Sequence, residues 1–330
     1  MTNIWQKLAK PFFVQAPMED VTDSVFRQII GKVGKPDLYF TEFTHVDGIT
    51  KGSEEYIRQR LYFTPTERPL IAQIWGNNPE SVSKAVSILR KSGYDGIDIN
   101  MGCPVREVIK QGCGSALINN PSLAKDIFNA AVSSAEGLPV SIKTRIGFRE
   151  IQTEEWMGFL LGLKPAALTV HARTAKEMSK VPAHWEEFGK VVNLKNNISA
   201  ETIVVANGDI QDRKQGRQVY EKYGVDGIMI GRGMLVNPGV FSTSQKEIGV
   251  KKRLELLKEH ILLFDKTWGK TSAKGRSASG GKNFEIMKKF YKAYIHGFEN
   301  AAELRLSLMP YKTSEDTLKV LEKLIETNRD

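Results

Sequence analysis

Eight short aliphatic runs separated by helix signals, a polar or glycine residue at the end of almost every run, and a change to a basic, purely helical pattern after Asn237-Pro238 predict the fold class. It is α/β: a (β/α)8 TIM barrel over residues 1–240, followed by a helical domain over residues 241–330. A chain of 330 residues has room for one barrel of about 250 residues and a modest appendage.

The runs are Phe12-Phe13-Val14, Leu38-Tyr39-Phe40, Leu70 to Ile74, Gly96 to Ile99, Val140 to Lys143, Ala167 to Val170, Ile203 to Ala206 and Gly227 to Ile230. Between them, Asn78-Pro79 opens a helix that Gly93 closes, Asn120-Pro121 opens another before Gly137, and Asp212 to Tyr223 ends at Gly224. Proline just inside the start and glycine past the end are what helix termini favour. Alternating strands and helices fit either a closed barrel or a doubly wound open sheet. The strand ends decide: Ala16-Pro17-Met18, Thr41-Glu42, Gln73, Asn100, Lys143 with Arg145, His171 with Arg173, Asn207-Gly208 and Gly231-Arg232 spread polar groups over every strand. A barrel builds its site from many strands at one rim, whereas an open sheet concentrates it at a switch point.

Beyond Asn237-Pro238, helices are expected from Lys251 to Trp268, Asn283 to Phe298 and Thr313 to Thr327, the last capped by Thr313 or Ser314. Gly269 to Lys282 reads as a linker with four basic residues and no acidic one. Phe284, Met287, Tyr291, Tyr294 and Phe298 recur at helical spacing and read as core.

The net charge is +9, of which the stretch from Lys246 to Asp330 supplies +6, so the basic character belongs to the helical part and suits a polyanionic partner. The first residues lack the apolar run of a signal peptide, and no stretch approaches the ~20 apolar residues that cross a bilayer, so a cytoplasmic protein without membrane association is expected. Two cysteines without a CxxC pair or a His/Cys cluster argue against a disulfide framework or a structural metal. No motif points to an obligate protein partner.

Asn207-Gly208 and Gly231-Arg232 end the seventh and eighth runs, where barrels commonly hold phosphate: glycine lets backbone N–H groups approach, and Arg232 adds a charge-assisted bond. Lys143 and Arg145 lie two apart on one strand, so both face the upper barrel interior while Thr144 turns away. Two cations there ask for an anionic guest, such as a flavin that becomes negative on reduction, although Schiff-base chemistry is a competing role for the lysine. Cys103 sits in the loop past the fourth run, where a protonated thiol serves as general acid, or packs as a small hydrophobe. Cys113, between Gly112 and Gly114, is assigned the packing role. His171 and Arg173 end the sixth run, the histidine either bonding a cofactor or capping the strand.

These residues together resemble the tRNA-dihydrouridine synthases from about residue 12 to the C-terminus. The resemblance is carried by Ala16-Pro17-Met18-Glu19-Asp20-Val21-Thr22-Asp23 with Phe26-Arg27, Ala72-Gln73-Ile74, Asp98 to Val105, Lys143 to Gly147, His171 to Thr174, Asn207-Gly208-Asp209 and Gly231-Arg232-Gly233. It implies FMN as cofactor, NADPH as reductant, and reduction of the C5–C6 double bond of uridine in tRNA. It further implies that Ala16, Pro17, Met18, Gln73, Lys143, His171, Asn207, Gly208, Asp209, Gly231 and Arg232 bind FMN. Cys103 would protonate C5 of uracil, and Asn100, Arg145 and Arg173 would serve the target nucleotide. The helical domain would grip the RNA, with seven Lys/Arg against one Glu between Gly269 and Lys292. The chain departs from the family pattern at Phe148-Arg149 and from Met178 to Trp185. A flavin barrel acting on a different RNA or a small substrate, a lysine-dependent lyase, and a non-catalytic RNA-binding relative are the alternatives.

Overall fold

A computed structural model describes residues 3–244, 248–269 and 281–327. Eight barrel strands appear where the aliphatic runs lie: β1 Phe12–Gln15, β2 Tyr39–Phe40 resuming at Thr44–His45, β3 Leu70–Trp75, β4 Gly96–Met101, β5 Val140–Arg145, β6 Ala167–His171, β7 Ile203–Asn207 and β8 Gly227–Ile230. All neighbours pair in parallel, β2 through β8 in chain order, with β8 against β1. A bridge between Val14 and Leu38, with Gln15 N–H donating to the Leu38 carbonyl at 3.0 Å, closes the ring between β1 and β2. β2 is split because Thr41 turns its hydroxyl to accept from the Gln73 N–H at 3.0 Å, and the ladder resumes two residues after Glu42.

The two-residue alternation of the strands sorts their side chains. Outward residues such as Ile74, Ile99, Ile142, Val170, Val204 and Ile228 are fully buried in the large core shared with the surrounding helices. Inward residues near the strand starts, among them Phe12, Leu38, Ile71, Ile203 and Met229, fill the lower barrel, and Trp5 of the short helix Ile4–Lys7 plugs its base. One step up, the inward positions become polar: Ser141 and Asp98, then Gln73, Asn100, Lys143 and Asn207, then Arg145 and His171. The lower half is therefore a sealed apolar plug and the upper half a polar cup.

The helical part follows the expected order with two differences. Val250–Trp268 and Ser314–Thr327 form as expected, the latter with the Thr313 hydroxyl accepting from Asp316 N–H at 3.3 Å. The helix expected over 283–298 is instead a 3-10 helix, Phe284–Phe290, running into the short helix Tyr291–Tyr294. Three residues per turn line up Phe284, Met287 and Phe290, all buried, which 3.6 residues per turn would splay apart. A further helix, Ala301–Leu308, has Leu306 largely exposed and little amphipathic pattern to announce it. The apolar residues expected as core are buried, except that Phe298 is only partly so. Residues 270–280, most of the expected linker, lie outside the described residues.

Lys282 is not part of a solvated basic surface. It is buried, with Nζ 2.7 Å from Glu42 and 3.3 Å from Asp23, and it stands over the Trp268 ring. Asp23 also caps the helix Ser24–Val33 and accepts from the Trp268 indole N–H at 3.0 Å. Arg60 joins the cluster through Glu19 and, at 3.7 Å, Glu42. Removing one member of such a buried set costs about 3–5 kcal/mol because its partners are left unpaired.

Candidate active site

The polar cup opens into two adjoining lobes. The first, about 850 Å³, runs from Lys143, Arg145 and His171 to the turns Asn207–Gln211 and Gly231–Gly233, with Ala16, Pro17 and Met18 along one wall. The second, about 690 Å³, shares Lys143, Arg145 and His171 and continues to Gln73, Asn100, Cys103, Glu19 and Phe43. Lys143, Arg145 and His171, with Pro17, Met18 and Pro104, thus serve both lobes, which lead on to a turn-built end and a thiol end.

At the turn-built end, β7 and β8 run out at glycines. Gly208 has φ +119° and Asp209 φ +55°, so the chain folds back sharply. A Cβ on Gly208 would sit 3.0 Å from the Ala183 Cβ and 3.1 Å from the His171 ring. The backbone N–H groups of Gly208, Asp209, Arg232 and Gly233 have no acceptor among the described residues. The Asp209 carboxylate bridges two arginines, Arg173 and, at 2.6 Å, Arg232, so that residue offers its N–H rather than its side chain to a guest. Trp185 Nε1–H donates to the Gly208 carbonyl at 2.8 Å and Ala183 N–H to Asp209 at 3.0 Å. The departing loop from Met178 to Trp185 therefore buttresses this turn.

Arg173, expected to serve the target nucleotide, lies just past the end of its strand. The strand ends at His171, and a tight turn, Arg173 N–H to the His171 carbonyl at 2.7 Å, breaks the alternation that would have aimed Arg173 inward. Its guanidinium is 2% exposed, borders neither lobe, and is spent on the Val181 carbonyl, the His171 ring and Asp209. It stands behind His171, away from both lobes.

In the shared middle, Lys143 Nζ has one partner among the described residues, the Asn207 amide oxygen at 3.1 Å, and no carboxylate. Burial, then the neighbouring Arg145, lowers it to about 8. Arg145, lowered to about 10 by burial and then Arg173, donates Nε–H to Gly102 and Nη1–H to Thr174 and Met178 carbonyls at 2.9–3.0 Å. Its Nη2 has no bonded partner among the described residues, and Arg145 borders both lobes. Thr144, turned outward, accepts from Trp156 Nε1–H at 2.9 Å. Unneutralised cations in a buried cup require an anionic guest, since a lone buried charge is costly.

The thiol end rests on a chain of buried hydrogen bonds. Ser141 Oγ–H donates to Asp98 at 2.7 Å, Gln73 Nε2–H donates to the other Asp98 oxygen at 2.7 Å, and Asn100 Nδ2–H donates to the Gln73 oxygen at 3.0 Å. The Asn100 oxygen then accepts from Cys103 N–H at 2.9 Å and Gly102 N–H at 3.1 Å, which fixes the loop. Burial pushes Asp98 up to about 6 against the lowering bonds from Ser141 and Gln73. Cys103 is 8% exposed, and burial pushes its thiol above the ordinary value, so it is protonated at neutral pH. Cys113 is fully buried against the same loop; Ser115 N–H donates to the Cys103 carbonyl at 3.0 Å, and a Cβ on Gly114 would meet that carbonyl at 2.8 Å.

Sequence reasoning passed over Asp98, Ser141 and Lys282. An acid inside an aliphatic strand was the available signal for Asp98; for Lys282, nothing local distinguishes it from its basic neighbours.

A family model described as Dihydrouridine synthase (Dus) matches residues 14–329. A "Probable tRNA-dihydrouridine synthase" of Staphylococcus aureus (strain MRSA252) is 43% identical over 309 residues, 93% of this chain and 91% of that protein. A "Probable tRNA-dihydrouridine synthase 2" of Bacillus subtilis (strain 168) is 42% identical over 327 residues, 97% of this chain and 96% of that protein. Among solved structures, a variant of NCR from Zymomonas mobilis shares the fold, with a TM-score of 0.50 and 16% identity over 72% of this chain and 89% of that one. Both relatives extend over the barrel and the helical part alike, and the family match begins in β1 and ends after the last described helix, Ser314–Thr327. The chain belongs to the dihydrouridine synthase family.

Proposed function

We propose that the protein is a tRNA-dihydrouridine synthase: a flavin oxidoreductase that uses FMN and NADPH to reduce the C5–C6 bond of uridine in tRNA. The observation that carries this reading is the pairing, in one cavity, of a carboxylate-free cationic middle with a protonated thiol at one end and unbonded N–H groups at the other.

FMN fits these residues. Its phosphate suits the free N–H groups of Gly208, Asp209, Arg232 and Gly233 with the Arg232 guanidinium; Ala16, Pro17, Met18 and Gly231 line the wall beside them. Its ring system suits the region of Lys143, Gln73, His171 and Asn207, where the lysine stabilises negative charge. When bound and reduced by NADPH, FMN supplies hydride for C6 of uracil.

The chain's own residues do the rest. Cys103 gives its thiol proton to C5, which its raised pKa permits because the proton is present at neutral pH. Asn100 holds the Cys103 loop and, with the free Nη2 of Arg145, binds the uracil. Burial of the cup excludes water from these transfers. A uridine in folded RNA must be extruded to enter. Residues 241–330 serve as the RNA-recognition part: an open hollow lined by Lys288, Lys292, Arg305, Leu306 and Met309 suits phosphate and base contacts. Among the described residues no helix is long and apolar enough to cross a membrane, in keeping with work on tRNA in the cytoplasm.

Mass spectrometry of RNA from cells with and without the gene tests the function. A tRNA uridine is expected to lose its two-hydrogen mass gain when the gene is absent, and an unchanged RNA complement rules the substrate assignment out.

A further inference from the structure

His171 ends β6 on the inner side and borders both lobes. Two edges of its ring are fixed. Nε2 lies 3.1 Å from Nη1 of Arg173, and Cδ2 lies over Gly208, 3.1 Å from where a Cβ on that residue would stand. The remaining edge carries Nδ1, which has no partner among the described residues, on a ring that borders both lobes of the cavity.

A guanidinium can only donate and keeps its charge at any working pH. Arg173 is also held on its other sides, Nε–H to the Val181 carbonyl at 2.6 Å and Nη2–H to Asp209, so it cannot turn away. In that contact Nε2 must be the acceptor, and the ring proton must sit on Nδ1. A second ring proton would set two N–H donors against each other. The charged groups around the ring also oppose it: Lys143 and Arg145 from β5, Arg173 behind, and Arg232 beyond β8. Asp209, from the turn after β7, is already shared between Arg173 and Arg232. Burial first, and then these cations, hold the imidazole well below its ordinary value.

We propose that Arg173 is a positioning residue that keeps His171 as the neutral Nδ1–H tautomer, giving the cup an uncharged hydrogen-bond donor beside its cations. The tautomer assignment is independent of what occupies the cavity; that the donor serves a flavin atom rests on the function proposed above. An imidazolium here would add a charge that varies with pH, whereas the neutral donor keeps the same strength across the working range.

Histidine labelled with nitrogen-15 reads this directly. The chain has five histidines, and the His171→Asn variant identifies the His171 signals by their loss. In the flavin-loaded protein, two-bond proton–nitrogen correlations are expected to show a protonated Nδ1 and a bare Nε2, unchanged from about pH 5 to 8. Arg173→Met is expected to release the ring, giving averaged tautomers. A wild-type His171 that is protonated on Nε2, or that titrates in this window, overturns the proposal, and this holds even if Arg173→Met does not fold. Stripped of flavin, the wild-type protein is expected to keep the tautomer while the Nδ1–H exchanges faster with water. A protein that never takes up FMN sinks the functional reading and leaves the tautomer result standing.

Discussion

The two ends of the cavity are built by opposite means. At the Arg232 end, the groups offered to a guest are backbone N–H groups on sharp turns with the Arg232 guanidinium beside them, and side chains such as Asp209 and Trp185 serve to hold the turns. At the Cys103 end, the offered groups are side chains, set by a buried relay from Ser141 through Asp98, Gln73 and Asn100. The difference teaches where each end is fragile: the first depends on backbone shape, the second on hydrogen-bonding atoms.

Four substitutions or conditions can break that contrast, taken from the largest effect. Cys103→Ala is expected to cut dihydrouridine formation by about 10²–10⁴-fold while flavin absorbance and NADPH oxidation persist, measured side by side on one preparation. Undiminished product removes the thiol from the mechanism. Gly208→Val is expected to weaken FMN binding about ten- to a hundredfold, since a branched side chain meets Ala183 and His171 from a left-handed backbone. Flavin fluorescence titration reports it, and unchanged affinity would mean that this turn does not hold the cofactor.

Asp98→Asn tests the relay. Asparagine brings a donor where both Asp98 oxygens accept, which is expected to unsettle Gln73 and Asn100 and to slow product formation about tenfold. FMN affinity is expected to fall less than product formation, because of the relay only Gln73 lies beside the proposed flavin ring, and the turns proposed for the phosphate are untouched. Equal losses in both would erase the contrast.

The smallest effect is one of pH. Lys143, lowered to about 8 by burial, is charged below that value and neutral above it. The negative ring of reduced flavin favours the charged form, so affinity for reduced FMN is expected to be full below about pH 8 and to fall severalfold by about pH 9, with proton uptake on binding seen by anaerobic calorimetry in two buffers. A flat profile removes the lysine from the flavin's reach.

Much of this was legible in the chain. Strand alternation aimed Lys143 and Arg145 inward and Thr144 outward, and the glycines at 208 and 231 marked the two turns. What escaped had non-local causes. The bonds of Arg173 to Val181 and Asp209 could not be read, because alternation holds only while the strand lasts and the strand stops at His171. Asp98 and Ser141 find partners on other strands, and the residues from 284 to 290 wind as a 3-10 helix to satisfy a buried face contributed by the rest of the fold.

Lys282 carries a consequence for exchange of parts between relatives. It neutralises two acids that belong to the barrel, one of them five residues from Met18 on the cavity wall. A chimera that takes its helical half from elsewhere inherits Asp23 and Glu42 without their counter-ion unless the lysine travels with it, so specificity swaps across this seam need the three residues moved as a matched set.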